Sequence, residues 1–143
     1  MSLNRWDSLG YIVNHLARRF SALLAERLRP HGVTVGQYPL LLALWEEEGI
    51  SQTELSRRLG IEPATTTNTL NRMERDGLVE RQPDPGDQRG SRVHLTELGR
   101  DLEGPVTAAA RRVNAEAVQN LSGGEAAELE YMLGKVMRGL AEE

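Results

Sequence analysis

The chain has 143 residues, 27% of them charged, with a formal net charge of −4, no cysteine and four methionines. That length sets one domain with room for a real core as the expectation. The missing cysteines exclude disulfides, thiolate metal sites and thiol-based oxidant sensing.

The charge is unevenly spread. Residues 1–50 carry five Arg against five acids, residues 51–95 seven Arg against seven acids, and residues 96–143 five basic residues against nine acids. The negative excess therefore lies in the last third. A nucleic-acid function, which an acidic chain argues against on bulk charge, would depend on local placement of arginine. Lys135 is the only lysine, and arginine's forked donors suit phosphates and guanine edges. The N-terminus lacks the pattern of a secretory signal, and no apolar run approaches the ~20 residues of a membrane span, so a cytoplasmic protein is expected.

In chain order, Met1 to Asp7 reads as an irregular arm anchored by Trp6. From Ser8, Leu9, Ile12, Val13, Leu16, Phe20, Leu23, Leu24 and Leu28 recur at helical spacing, until Pro30 and Gly32 stop the pattern. Thr34 to Gln37 has capping-box spacing and precedes an apolar helix, Tyr38 to Glu48, expected to be central. Glu46 to Glu48 reads as its solvated end.

Ser51 to Leu95 carries the most information. Ser51 and Glu54 have the spacing of a second capping box, in which each side chain serves the other's backbone N–H. Leu55 and Leu59 form a buried stripe, and Gly60 ends the helix. Pro63 opens another helix, running to about Asp76 with Gly77 as its stop. Two helices joined by a glycine-containing turn make a helix-turn-helix pattern. Val79–Gln82 and Ser91–Leu95 read as short strands around the turn-rich P-D-P-G-D-Q-R-G, which would form a wing.

The second of these helices contains Thr65, Thr66, Thr67 and Thr69, although β-branched residues are poor helix formers. Such a local conflict points to function overriding propensity. Thr66, Leu70 and Met73 share a core-facing stripe. That leaves Ala64, Thr65, Asn68, Asn71 and Arg72 on the open face. Methyl groups suit the thymine methyl, asparagine suits adenine, and Arg72 and Arg75 suit phosphates. Ser51, Gln52, Thr53 and Thr67 are added to the candidate DNA contacts, with Arg89 and Arg92 from the wing. An arginine at a wing tip can enter a narrow minor groove, and Asp87 could pair with Arg89 to hold the loop.

Beyond the wing, Thr96 is an N-cap for a long helix through Leu98, Leu102, Val106, Val113 and Leu121, bent at Gly104 and Pro105. Arg111 and Arg112 could pair with Glu103 and Glu116. Ser122 to Glu125 is a third capping box, opening a final helix with Leu129, Met132, Leu133, Val136, Met137 and Leu140. The terminal helices are too apolar for a lone winged helix to cover. A second copy would bury them, the alternative being an intramolecular bundle.

Three runs resemble the MarR family of bacterial transcription regulators: L-x-x-x-L-G-I from Leu55, T-L-N-R-M-E-R-D-G-L-V-E-R from Thr69, and D-Q-R-G-S-R-V-H-L-T from Asp87. The resemblance covers nearly the whole chain. It implies a mainly α fold with a β-hairpin wing. Residues 34–95 would be the winged helix-turn-helix, and residues 1–33 and 96–143 a helical dimerisation region. It also implies a homodimeric repressor or activator on double-stranded DNA, often released by a small molecule. In relatives the small-molecule pocket lies between the first two helices and the DNA module. Tyr11, His15, Arg18 and Tyr38 stand at matching places, and an aromatic carboxylate would suit them. Asn68 departs from the arginine that many relatives carry, which leaves the base preference open.

Two alternatives remain at this level: a constitutive or architectural DNA binder without ligand, and a winged-helix protein-interaction module. An enzyme is not expected, since there is no phosphate loop, no zinc-protease histidine motif and no nucleophile elbow. His15, His31 and His94 fall on separate elements, so neither metal nor cofactor is expected.

Overall fold

The computed structural model describes residues 1–141. Its helices are α1 (Leu9–Leu28), α2 (Tyr38–Glu46), α3 (Gln52–Leu59), α4 (Pro63–Arg75), α5 (Glu97–Asp101), α6 (Glu103–Ala117) and α7 (Gly123–Gly139). Its strands are β1 (Ile50–Ser51), β2 (Val79–Asp84) and β3 (Asp87–Leu95), arranged in the order β1-β3-β2 with every pairing antiparallel. The fold is the mainly helical, winged helix-turn-helix architecture expected from the sequence. None of the described helices is long and apolar enough to cross a membrane.

The helix termini follow local chemistry. Ser8 caps α1, its hydroxyl accepting from the Tyr11 N–H. Thr34 and Gln37 cap each other reciprocally, at 3.2 and 3.1 Å, one turn before α2 begins. Ser122 and Glu125 form a full box at the start of α7. The Ser51 box is only half made. Its hydroxyl accepts from the Glu54 N–H, but the Glu54 carboxylate turns away to Arg57 and Arg58. Two guanidiniums compete better for a carboxylate than one backbone N–H. Gly60, at φ 61°, ends α3 in the left-handed region that a Cβ disfavours.

The core gathers Leu28 and Val33, then Leu40, Leu41, Leu44, Ile50, Leu55, Leu70, Met73, Leu78, Val79, Val93, Leu95 and Val106. Thus α2 is central, as its composition implied, with only Leu42 among its leucines exposed. One side chain in this core is unmatched: Thr66 is fully buried and its hydroxyl has no partner among the described residues.

Several sequence expectations need correction. The N-terminal arm contains a 3-10 turn, Arg5–Asp7, opened by Asn4. Helix α2 ends at Glu46, and the acids after it are not merely solvated. Glu47 pairs with Arg58, while Glu48 accepts the Leu95 N–H at 2.9 Å and pairs with Arg100. Glu48 thereby ties the end of α2 to the junction of β3 and α5. Its carboxyl lies below the usual range, first because of Arg100 and further because of the Leu95 N–H.

The wing strands are longer than the turn residues suggested. Pairing runs to Asp84 and Asp87, with an irregularity at Pro83 and Asp84, so most of P-D-P-G-D-Q-R-G lies in strands. Backbone pairing across a tight hairpin overrides the weak strand preference of those residues. The helix after Thr96 breaks at Leu102 rather than bending at Gly104 and Pro105. Pro105 falls in the first turn of α6, where its absent N–H has no ladder bond to make. Glu116 pairs across to Arg27 at 2.5 Å instead of with Arg111 or Arg112, joining α1 to α6.

Candidate nucleic-acid interface

Helix α4 is held from below by Thr66, Leu70 and Met73, all fully buried. That fixes which face is open. Ala64, Thr65, Asn68, Asn71, Arg72 and Arg75 are exposed or half-exposed on it. The threonine-rich composition is accommodated locally: the Thr67 hydroxyl donates to the Pro63 carbonyl at 3.0 Å and the Thr69 hydroxyl to the Thr65 carbonyl at 2.9 Å. This bonding to the i−4 carbonyl is a common way for threonine to satisfy its proton inside a helix. The helix is fixed at its far end as well. Buried Gln37 donates to Asp76, and Gly77, at φ 75°, turns the chain into β2.

The wing is pinned at its base and free at its tip. Arg92 donates to the Gly49 carbonyl at 2.8 Å and to Asp84 at 3.3 Å, so its guanidinium is engaged within the fold. Asp87 does not pair with the Arg89 guanidinium; it accepts the Arg89 backbone N–H at 2.9 Å. That arrangement shapes the turn while leaving the exposed Arg89 guanidinium without a partner among the described residues. Arg72 is likewise unpaired among the described residues, and Arg75 has only a 3.7 Å contact with Asp76.

Between helix and wing lies a polar network that the sequence did not reveal. Its centre is Arg81 on β2, whose side chain is 21% exposed. Arg81 donates to Glu74 from its backbone N–H and from Nε and Nη2, to Asn71 Oδ1 from Nη2, and to Gln52 Oε1 from Nη1 at 3.5 Å. Gln52 in turn donates to Thr67 Oγ1 at 2.6 Å and accepts from Ser91 Oγ at 3.2 Å. Glu74 is held below its usual carboxyl range, chiefly by Arg81. Of the nominated DNA contacts, Gln52, Thr67, Asn71 and Arg92 therefore already have intramolecular partners. Ser51 serves α3 as its cap, and Thr53 is exposed beside it. Arg81 itself was missed, because i,i+7 proximity between a helix and the strand after it depends on the turn geometry at Gly77.

The residues nominated for a small molecule divide into two groups. Tyr11 and His15 stack with centroids 5.9 Å apart, and Trp6 sets its ring edge-on to both at 5.3 and 5.5 Å. Arg18 is exposed one turn further along α1, whereas Tyr38 is half-buried against the core, where burial raises its phenol above the usual value. Two clefts lie elsewhere. One of about 460 Å³ is lined by Phe20, Leu23, Val113 and neighbours; the other, of about 670 Å³, is lined by Arg29, Thr34 and Arg72 among others. None of the four nominated residues lines either cleft.

A buried-backed helix with an open polar face, beside a hairpin with a free arginine at its tip, defines a winged helix-turn-helix protein. Comparison with known proteins places it more closely. The MarR family model matches residues 31–90. The chain is 32% identical over 130 residues to the multiple antibiotic resistance protein MarR of Escherichia coli, covering 90% of each. It is 40% identical over 98 residues to the HTH-type transcriptional regulator TtmR of Methylorubrum extorquens, a match spanning 68% of this chain and 50% of TtmR. The crystal structure of a mutant E. coli MarR complexed with operator DNA superposes with a TM-score of 0.83 at 32% identity, over 90% of this chain and 92% of that one. The chain belongs to the MarR family.

Proposed function

We propose that the protein is a homodimeric transcriptional regulator that binds a pseudo-palindromic operator and acts as a repressor. The observation that carries this reading is the open face of α4: small, polar and cationic side chains stand above a fully buried stripe. Its likeness to a MarR protein solved on operator DNA supports the same use. Two copies related by a two-fold axis would set their α4 helices in successive major grooves, ~34 Å apart. Residues 1–33 and 96–143 would supply the shared helical body. Support for a second copy comes from α7, which has no buried residue while Tyr131, Met132, Leu133, Val136, Met137 and Leu140 are exposed.

In this reading Arg72, Arg75 and Arg89 contact phosphate or the minor groove, while Ala64, Thr65 and Asn68 approach base edges. An aromatic carboxylate is the proposed effector, with the Tyr11–His15 stack taking the ring and Arg18 the carboxylate. Its effect would be a population shift. A coupling of ~1–3 kcal/mol changes operator affinity about 5–150-fold.

The decisive experiment is a binding selection on random duplex DNA, followed by titration of the selected site. A palindrome bound by wild type, lost on Asn68→Ala and weakened on Arg89→Ala supports the regulator. Binding without sequence preference favours an architectural protein, and no binding of wild type to any duplex at low salt favours a protein-interaction module. Unchanged operator affinity across a panel of aromatic acids removes the effector.

A further inference from the structure

The network around Arg81 bears on which base α4 reads. Arginine has five N–H donors and no acceptor. Any carboxamide bonded to it must therefore present its oxygen, and this settles the orientation of both amides Arg81 touches. For Gln52, the oxygen accepts from Arg81 and Ser91 while the nitrogen donates to Thr67. Gln52 is thus satisfied inside the fold. For Asn71, the oxygen accepts from Arg81, and the nitrogen has no acceptor among the described residues. Asn71 is exposed and lies seven residues after Ala64, so both fall on the same face of α4.

An asparagine with both ends free can read adenine, its oxygen accepting from N6 and its nitrogen donating to N7. An asparagine whose oxygen is already held cannot make that pair without breaking the internal bond. Its NH2 group finds a better match in guanine, whose major-groove edge offers two acceptors, O6 and N7, and no donor. The orientation is stable because Arg81 is itself fixed. Three of its donors, the backbone N–H included, go to the Glu74 carboxylate, about one turn beyond Asn71 on the same helix side.

We propose that Arg81 is a positioning residue that sets the base preference of α4: by holding Asn71 Oδ1 it turns the Asn71 NH2 outward, so the helix reads guanine in preference to adenine there. This rests on the regulator reading above and adds to it the identity of one base per half-site.

The test is the random-duplex selection run with the full-length chain as wild type, Asn71→Ala, Arg81→Met and Arg81→Lys, each checked for folding by thermal melting. Wild type should enrich a palindrome with guanine over adenine at one pair in each half-site, by about 3–10-fold, the size of one net hydrogen bond. Asn71→Ala should flatten that position and leave the rest of the motif. Arg81→Met, which frees the Asn71 oxygen, should move the same position towards adenine. Arg81→Lys, whose ammonium also offers only donors, should retain guanine. A purely structural role for Arg81 would lower affinity evenly and move no single position.

The inference is overturned if the position that Asn71→Ala alters carries adenine in wild type, or if Asn71→Ala alters none. Those two outcomes hold even if Arg81→Met fails to fold, since Asn71→Ala leaves the Arg81–Glu74 pair intact. A wild-type motif that stays the same in well-folded Arg81→Met also overturns it. If wild type enriches no palindrome at all, the regulator reading fails and this inference with it, which separates the two failures.

Discussion

Helix α4 and helix α7 are both amphipathic, yet they stand in opposite situations. Helix α4 buries Thr66, Leu70 and Met73 within its own chain and exposes only polar and small groups. Helix α7, seventeen residues long, buries nothing, and apolar side chains on it and at its end are among the most exposed of the molecule: Leu140 at 79%, Met137 at 68% and Tyr131 at 66%. The N-terminal half of α1 behaves like α7, with Leu9, Ile12, Val13 and Leu16 exposed. An exposed polar face needs no cover from protein, whereas a contiguous apolar face of this extent usually has one. The difference teaches that the apolar stripe of α4 is covered within one chain, by a core that also takes Leu28 from α1 and Val106 from α6, while α7 and the start of α1 present apolar side chains that the described residues leave exposed.

That contrast can be broken most severely at α7. Val136→Asp together with Met137→Asp should dissociate a homodimer, because each unpaired charge forced into an apolar interface costs about 3–5 kcal/mol. Sedimentation equilibrium should show twice the chain mass for wild type and a single-chain mass for the variant. A wild-type monomer would remove the contrast altogether.

Within the winged-helix part, Leu70→Ala should cost about 2–5 kcal/mol in urea unfolding, through lost burial and the cavity left behind. Leu42→Ala, on the exposed side of α2, should cost under about 1 kcal/mol, roughly one CH2 group's worth of burial. Similar costs at both positions would mean that something covers Leu42. Next in size is Gly99→Ala. A Cβ at Gly99 would stand 2.2 Å from the Leu78 carbonyl oxygen, so α5 must lift from the turn it rests on. Overpacking of this kind costs about 1–3 kcal/mol. The Trp45 indole donates to the Gly99 carbonyl at 2.9 Å, so a change in Trp45 fluorescence should accompany the loss.

The smallest effect is electrostatic. Glu54 is drawn down to about 2, chiefly by hydrogen bonds from Arg57 and Arg58, and Glu48 and Glu74 are lowered by Arg100 and Arg81. A carboxyl lowered on folding adds stability above its unfolded value and loses it as pH falls through its folded value. The melting temperature should therefore hold near neutrality and decline between about pH 4.5 and about pH 2. Glu48→Gln should lower the plateau and reduce that slope. A melting temperature unchanged down to pH 2 would show that these pairs contribute nothing, as exposed pairs often do.

Most of the fold was legible because its signals are local. Thr96 and Ser122 cap helices within three residues of themselves, Gly60 and Gly77 end helices through their own φ, and the stripe of Thr66, Leu70 and Met73 follows from helical period alone. The open face of α4 came with that stripe as its complement. The two-residue β1 was not legible because its partner, β3, lies about forty residues away. The full length of the wing strands was not, because backbone pairing across the hairpin overrides turn-forming composition. The sequence pattern puts the break at Leu102 two or three residues too late, at Gly104 and Pro105.

Within the candidate interface the division is sharper. Residue identity and helical period determined that Ala64, Thr65, Asn68, Asn71, Arg72 and Arg75 share a solvent-facing surface. Whether each polar group on or beside that surface is free was decided only when β2 and the wing folded back onto α4. Arg81 then took the oxygens of Asn71 and Gln52, Gly49 and Asp84 engaged Arg92, and Asp87 shaped the turn through the Arg89 backbone. The physical reason is range. Periodicity and capping act over one or two helical turns, whereas a hydrogen-bond partner is chosen from whatever the tertiary fold brings within about 3 Å.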